Sequence, residues 1–214
     1  ILAMWPPISE SKEAYIAVVD RGRTTPYTVQ AYSMVAQSAF KLQDFTTAER
    51  WYDRIRREYP DSSRYVDRAS TMMASAKFKM AEELRDKGKE DLAAEAFQNL
   101  ATSTDNIEIA EKAMLQAATQ YEKAGDIARA VMAYENFRYR LPKSTRIEET
   151  LYKAALLSEQ LPDYERAAAN YLEIVRVNPK SQYAARAVYS AAQNFERAQN
   201  RAQAASFFER YAYT

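Results

Sequence analysis

The sequence predicts an all-α solenoid in which helical hairpins follow one another along the chain. The composition is helical: 38 of the 214 residues are alanine, mixed with Glu, Lys, Arg and Gln, whereas only three are glycine. Alanines also recur at a spacing of 37 residues, and prolines recur at a fixed distance after them. A constant period of this length is typical of repeat proteins, because each hairpin buries its apolar face against the next one.

One alanine marks each copy of the repeat, and bulky side chains follow it by four and by seven residues. The marker alanines are Ala48, Ala93, Ala130, Ala167 and Ala204, with 45 rather than 37 residues between the first two. The side chains four residues later are Tyr52, Phe97, Tyr134, Tyr171 and Phe208, and those seven later are Ile55, Leu100, Phe137, Ile174 and Tyr211. Positions i, i+4 and i+7 share one helix face. The pattern therefore predicts the second helix of each hairpin, with a small residue where a neighbouring helix approaches.

Proline and serine separate successive hairpins. Pro60, Pro142 and Pro179 follow the bulky positions, and a proline ends a helix because it clashes with the preceding turn. A serine comes two residues after each proline, so we expect Ser62, Ser144 and Ser181 to open the next helix as N-caps. In the second copy Asp105 replaces the proline, and residues 62–88 contain no breaker, which predicts one long helix.

Upstream of each marker alanine lies a first helix with small residues at its centre, followed by a short turn. The predicted turns are Gln43-Asp44, Gly88, Gly125-Asp126, Pro162-Asp163 and Gln199-Asn200. Gly, Asn and Asp suit such turns because they tolerate backbone conformations that other residues adopt with strain.

This pattern resembles the tetratricopeptide repeat. In one copy the matching residues are Ala118, Tyr121, Gly125-Asp126, Ala130, Tyr134 and Pro142. The family period is usually about 34 residues, so the period here is longer. The resemblance covers about residues 27–214 and implies a right-handed superhelical solenoid of about five hairpins. The predicted repeats are 27–61, 62–105, 106–143, 144–180 and 181–214, preceded by a segment over 1–26 that contains the second helix of a partial repeat.

The resemblance also implies a groove lined by the first helices, at positions 15 and 11 residues before each marker alanine. The candidate partner-binding residues are Phe78, Leu115, Tyr152, Tyr189, Gln37 and Gln193, with Lys112 and Arg186 flanking them. Aromatic side chains supply much of the binding energy at interfaces. The alternative is that these side chains pack against neighbouring repeats. Some members of the family hold chaperone tails with a two-carboxylate clamp of Lys and Asn, but those positions are Ser33, Gln37, Phe78 and Glu82, which disfavours that role.

The composition excludes several function classes. The chain has no histidine and no cysteine, so it can build no Ser–His–Asp triad, no thiol nucleophile and no zinc site of the usual type. We therefore expect no catalytic residue, no metal and no cofactor. A formal net charge of +1 argues against nucleic acid as a partner, and no apolar run approaches the roughly 20 residues of a membrane span.

Two charged motifs are interpreted as solvated helix faces. The basic run of Arg54, Arg56 and Arg57 falls at a predicted helix C-terminus, where cations suit the dipole and Asp53 can pair with Arg57. Glu148 and Glu149 have the residue types of a glycosidase acid pair, but exposed glutamates on alanine-rich helices favour solubility instead.

The function predicted is a non-enzymatic scaffold that binds a protein or peptide in its groove. Its proline–serine junctions resemble those of bacterial cell-envelope members of the family, which implies a periplasmic or outer-membrane assembly role, with the cytoplasm as the alternative. A second hypothesis makes the array the helical arm of a larger enzyme, such as a lytic transglycosylase, and a third is self-association through the terminal repeats. The aromatic last helix leads us to expect that the natural chain continues beyond Thr214; the alternative is a true terminus that packs on a partner.

Overall fold

Ten α-helices occupy the part of the chain that the computed structural model describes from residue 27 onward. The described residues are 13, 15–17 and 27–213. The helices are α1 (Thr28–Lys41), α2 (Phe45–Glu58), α3 (Ser63–Asp86), α4 (Glu90–Ser103), α5 (Ile107–Lys123), α6 (Ile127–Arg140), α7 (Ile147–Gln160), α8 (Tyr164–Val177), α9 (Ala184–Arg197) and α10 (Arg201–Ala212). No strand occurs among the described residues, and the all-α class of repeated hairpins is confirmed. Most of the predicted leading segment over 1–26 lies outside the described residues. The part of it that is described, Glu13 and residues 15–17, is helical.

The chain divides into two compact units. Unit 1 comprises residues 1–89 and 99–110, and unit 2 comprises residues 90–98 and 111–214. In unit 1 helix α2 packs against both α1 and α3, and in unit 2 each helix from α7 to α9 packs against the helices before and after it. The repeat boundaries given above stay a prediction.

The five turns inside the hairpins share one backbone pattern. The residue after each turn donates its N–H to a carbonyl five residues back, as in Asp44 to Ala39 at 2.9 Å and Asp126 to Tyr121 at 2.9 Å. This bond closes the end of the first helix, and it requires a left-handed residue in the turn. Gly125 has φ +80°, a conformation that glycine adopts without the Cβ penalty.

Side-chain caps then start four of the five second helices. Asp44, Asp126, Asp163 and Asn200 each accept a hydrogen bond from the backbone N–H three residues later. Such a cap satisfies one of the orphan donors of the first turn. The predicted turns are thereby confirmed. At each of these four turns a left-handed residue ends the first helix, and the Asp or Asn that follows it caps the second helix.

The marker alanines lie on the buried faces of the second helices. All five are at most 4% exposed, and Ala48, Ala93, Ala130 and Ala167 are completely buried. The bulky side chains four and seven residues later are at most 2% exposed in the first four copies. In the last copy Tyr211 is 43% exposed. The sequence prediction of one buried face per second helix is confirmed for the first four copies.

The irregular second copy is explained by the length of α3. This helix has 24 residues, whereas α7 and α9 have 14 each. The eight additional residues between Ala48 and Ala93 are taken up in this helix, which is ten residues longer than α7 at its N-terminus, or nearly three turns. Tyr65 and Met72 of that extension, and Met73 next to it, pack against a core formed mainly by α1 and α2. The predicted single long helix is confirmed.

The expectation that the junction serines act as N-caps is wrong. The residues before α7 and α9 are Arg146 and Tyr183, and Ser62, which precedes α3, makes no capping hydrogen bond with its side chain. Ser144 and Ser181 lie three residues before a helix and accept the backbone N–H of the residue two positions on, at 3.1 Å. They shape the junction rather than cap the helix, because the helix starts one turn later.

Polar bonds join successive second helices within unit 2. The Arg166 guanidinium donates to both Glu135 oxygens at 2.8 and 2.7 Å, and Asn170 donates to the same carboxylate at 2.7 Å. Burial raises the pKa of the Glu135 carboxyl, but the hydrogen bonds from Arg166 and Asn170 outweigh it and hold the pKa below its ordinary value of 4.5. Bidentate pairing of this kind fixes the spacing of two helices as well as stabilising them.

We expect Ala130→Leu to lower the free energy of unfolding by about 2 kcal/mol, because three carbon atoms have to enter a fully packed site. Ala128→Leu, at an exposed position of the same helix, is the matched control and should be nearly neutral. Urea denaturation of both variants measures the difference. Equal stabilities would show that Ala130 is not a tight contact.

We expect Glu135→Gln to cost about 1 kcal/mol near pH 7 and progressively less as the pH falls below 4.5. The folded pKa of Glu135 is lowered, so its stabilisation is present above the unfolded value of 4.5 and is lost as the pH falls through the folded value. Denaturation of wild type and variant over this pH range gives the comparison. The exposed Glu165→Gln serves as control, and a pH-independent effect of Glu135→Gln would contradict the assignment.

Candidate functional site

The two candidate residues in unit 1 do not form a shared site there. Gln37 on α1 is half-buried and donates its Nε2 to Ser33 Oγ at 2.9 Å, so its amide is used within the helix. Phe78 on α3 is half-buried as well. Neither lines the cleft of unit 1, whose walls are formed by α3 and residues 100–106 with Arg56.

The other six candidates lie on the three first helices of unit 2. Lys112 and Leu115 are on α5, Tyr152 is on α7, and Arg186, Tyr189 and Gln193 are on α9. Lys112 and Arg186 are exposed, and Leu115, Tyr152 and Gln193 are half-buried. Tyr189 is 39% exposed.

The aromatic candidates pack partly on the second helix of their own hairpin. Tyr152 meets Tyr171 edge-on, with 5.8 Å between ring centroids. Tyr189 lies 5.7 Å from Phe208 and 5.1 Å from Tyr211. Internal packing, the alternative role considered for these side chains, therefore occupies one side of each ring. The rest of each ring is exposed to solvent. Aromatic pairs of this geometry hold the rings in place.

One cleft of about 470 Å³ opens between α7 and α9, with Ile174 of α8 among its walls. We call it the α7–α9 cleft. It is lined by Thr145, Glu148, Glu149, Tyr152, Ile174, Tyr183, Arg186 and Ala187. Of the predicted groove residues, the structure places Tyr152 and Arg186 together in it. Its size lies within the range of ligand and peptide pockets.

The negative charge of Glu149 in the cleft is balanced by two neighbouring cations. It receives hydrogen bonds from Arg146 Nε at 3.1 Å and lies 3.2 Å from Lys153 Nζ. The hydrogen bond from Arg146 and that from Lys153 hold the pKa of the Glu149 carboxyl below its ordinary value. This carboxylate is therefore ionised and already satisfied.

Glu148 has a structural role at the edge of the cleft. It accepts hydrogen bonds from Asn178 Nδ2, at 2.7 Å, and from the Ser181 hydroxyl. These bonds tie α7 to the junction that precedes α9. Glu111 and Ser144 make the equivalent contact one repeat earlier, at 3.1 Å. The distance between the two hairpins at the cleft is thus set by a repeated serine–glutamate bond.

Arg186 differs from the other charged residues of the cleft. It forms no ion pair and no hydrogen bond within the described part of the chain, and its side chain is exposed. Its charge acts on the nearby Tyr171 hydroxyl, whose pKa is raised by burial and lowered in part by Arg186. The cleft thus presents one cation that has no ion-pair partner among the described residues.

Sequence reasoning missed several residues of the cleft wall. Thr145 and Tyr183 lie in junctions outside the helix pattern, and Tyr183 is 50% exposed. Glu148 was interpreted as a solubilising glutamate. A signal was present, because Glu111 and Glu148 are 37 residues apart and so are Ser144 and Ser181.

The two charged motifs are engaged in helix-surface contacts. Arg57 pairs with Asp53 at 2.6 Å, as predicted, and Arg54 pairs with Glu58 at 2.8 Å. The Arg54 guanidinium also stacks on the rings of Tyr32 and Trp51, at 4.6 and 4.7 Å. The charges of Arg54 and Arg57 are therefore paired with side chains of unit 1 itself.

Two classes of feature are absent from the described residues. None of their helices combines the length and the apolar character that crossing a membrane requires. No group of three or more acidic side chains is placed to hold a metal ion within the same residues.

The tetratricopeptide repeat family model matches the chain in two segments, residues 30–62 and 112–144. The first spans most of the hairpin of α1 and α2, and the second spans most of the hairpin of α5 and α6. Both lie within the region where the sequence resembles that family, and they support the resemblance. The chain has no match among curated proteins.

Several solved structures resemble the fold at low identity. BtubC (BKLC) from P. vanneervenii has 15% identity and a TM-score of 0.46, over 96% of this chain and 87% of that one. MamA from Desulfovibrio magneticus RS-1 has 14% identity and a TM-score of 0.41, over 86% and 93%. YrrB, described as a TPR protein with an unusual peptide-binding site, has 13% identity and a TM-score of 0.42, over 94% and 91%. At these values the likeness carries no argument about function.

We expect the Glu148–Ser181 bond to hold the cleft together, with a coupling energy of about 1 kcal/mol. A double-mutant cycle with Glu148→Ala and Ser181→Ala measures it, because each variant removes the hydrogen bond and the cycle subtracts the separate effects of each change. The same cycle at Glu111 and Ser144 is the internal comparison. Strictly additive effects at 148 and 181 would contradict a structural role for the contact.

Proposed function

We propose that the chain is a scaffold and that the first-helix face of unit 2 binds a segment of a partner protein. The observation that carries the proposal is the α7–α9 cleft, where Tyr152, Tyr183 and Arg186 line an open space that no described residue fills. Repeats of the tetratricopeptide type in two segments support a protein or peptide as the partner class.

The exposed surface around the cleft has the properties of a binding face. Leu156 is 40% exposed, Tyr183 50% and Tyr189 39%, and all three lie on or next to first helices. Tyrosine combines apolar area with a hydrogen-bonding hydroxyl and loses little side-chain entropy, so partly fixed rings favour binding. The packing of Tyr152 on Tyr171 and of Tyr189 on Phe208 orients the rings before a partner arrives.

A partner segment would lie across α7 and α9 and contact side chains from both. Within unit 2, Leu115, Tyr152 and Tyr189 occur at the same position of consecutive first helices. An extended or helical segment can contact such a series because successive hairpins repeat the spacing of their side chains.

We expect Tyr152→Ala combined with Tyr189→Ala to reduce partner capture at least tenfold, because each ring is a large anchor. Capture from native lysate, followed by quantification of the retained partner, measures the loss. Helicity should remain, since the fully buried side chains of both hairpins are unchanged and each substitution removes only a partly exposed ring.

The matched control is Tyr139→Ala combined with Tyr213→Ala. These tyrosines are 70% and 85% exposed, and neither of them lines the α7–α9 cleft. The control pair should leave capture unchanged. Equal capture by wild type and the Tyr152/Tyr189 double variant would refute the assignment of the face.

We also propose a place for this function in a bacterial envelope complex. The support is the resemblance of Tyr59-Pro60-Asp61-Ser62 and Asn178-Pro179-Lys180-Ser181 to junctions of envelope members of the family. Fractionation of cells that express the full natural reading frame tests it. Recovery in the periplasm or with the outer membrane is expected, and recovery in the cytosol alone would contradict it.

A further inference from the structure

We infer that the α7–α9 cleft selects partner segments by an acidic side chain, which Arg186 binds beside the aromatic rings. This inference rests on the proposed function and adds the chemistry of the partner. It assigns Arg186 as a specificity-determining residue for an Asp or Glu located inside the segment.

The hydrogen bonds and ion pairs of the cleft identify Arg186 as the charged group that a partner can complement. Glu149 is held by Arg146 and Lys153, and Glu148 is held by Asn178 and Ser181. These carboxylates have their hydrogen-bonding partners within unit 2. Arg186 has no such partner among the described residues, so its five N–H donors are available.

The surroundings of Arg186 favour a carboxylate over water. Tyr152, Ile174 and Ala187 line the same cleft, together with the carboxylates of Glu148 and Glu149. A guanidinium binds a carboxylate through two parallel hydrogen bonds, and the interaction is stronger where solvent is partly excluded. Apolar and aromatic walls beside the cation call for an apolar side chain next to the acid in the same segment.

The position of Arg186 favours an internal acidic side chain over a chain terminus. Tyr189 follows Arg186 by three residues and therefore lies on the same face of α9. A segment that contacts both Tyr152 and Tyr189 passes Arg186 and continues. The carboxylate that meets Arg186 is then a side chain, because the backbone of the segment extends beyond it.

The experiment pans a phage-displayed library of random peptides against the chain. Wild type should enrich peptides in which Asp or Glu adjoins a large apolar residue. Arg186→Glu should lose this enrichment and favour Lys or Arg instead, because the sign of the cleft cation is reversed. Arg201→Glu is the matched control: Arg201 is exposed at the start of α10, outside the cleft, and its variant should enrich the wild-type motif.

Affinities of an enriched peptide then test the contact itself. Arg186→Gln should weaken binding about fivefold, a modest effect because the arginine is exposed, and added salt should reduce the difference. Amidation of the peptide C-terminus should change nothing. A loss on amidation would show that a terminal carboxylate is bound and would overturn the inference.

The remaining outcomes separate this inference from the proposed function. Enriched peptides without acidic residues, whose binding still depends on Tyr152 and Tyr189, would overturn the role of Arg186 and leave the binding face in place. Enrichment by wild type that neither tyrosine affects, or no enrichment at all, would overturn the proposed function together with the inference. Circular dichroism of every variant confirms that the helices are formed.

Discussion

The close approach of helices at the marker alanines is the contact on which the rest of the structure depends. A side chain larger than a methyl group at Ala130 or Ala167 would separate the helices, because both positions are completely buried. The aromatic and aliphatic side chains four and seven residues later can fill the remaining space only at this separation. The left-handed turns, with Asp or Asn caps at four of the five second helices, bring each second helix into place against the first.

The binding face follows from this packing. Each first helix buries one face in its repeat, as α7 does with Leu151, Ala154 and Ala155, and keeps another side accessible. In unit 2 that side carries Tyr152, Arg186 and Tyr189. The serine–glutamate bonds set the separation of neighbouring hairpins at the cleft. Tyr152 and Tyr189 each use one side of the ring for packing, so the same contacts that stabilise a hairpin also orient its binding side chains.

The fold was predictable from the sequence, whereas the site was predictable in part. Alanine spacing, prolines and Gly-Asp turns report local helix physics, which a single sequence contains. The helical period does not predict Tyr183, because this residue lies in a junction between helices. The capping role predicted for the serines is wrong because the next helix starts one turn later than the sequence pattern indicates. Whether Arg186 forms an ion pair depends on which carboxylates lie close to it in the folded chain. The spacing of residues along the sequence does not give that information.

Hydrogen–deuterium exchange with the captured partner segment tests the binding face of unit 2 most directly. Amide exchange in a helix follows local opening, and a ligand that binds the folded helix slows it. The account predicts that the segment protects α7 (Ile147–Gln160) and α9 (Ala184–Arg197) more than α6, α8 and α10. Protection confined to α6, α8 or α10 would contradict it, because the partner would then occupy the second helices.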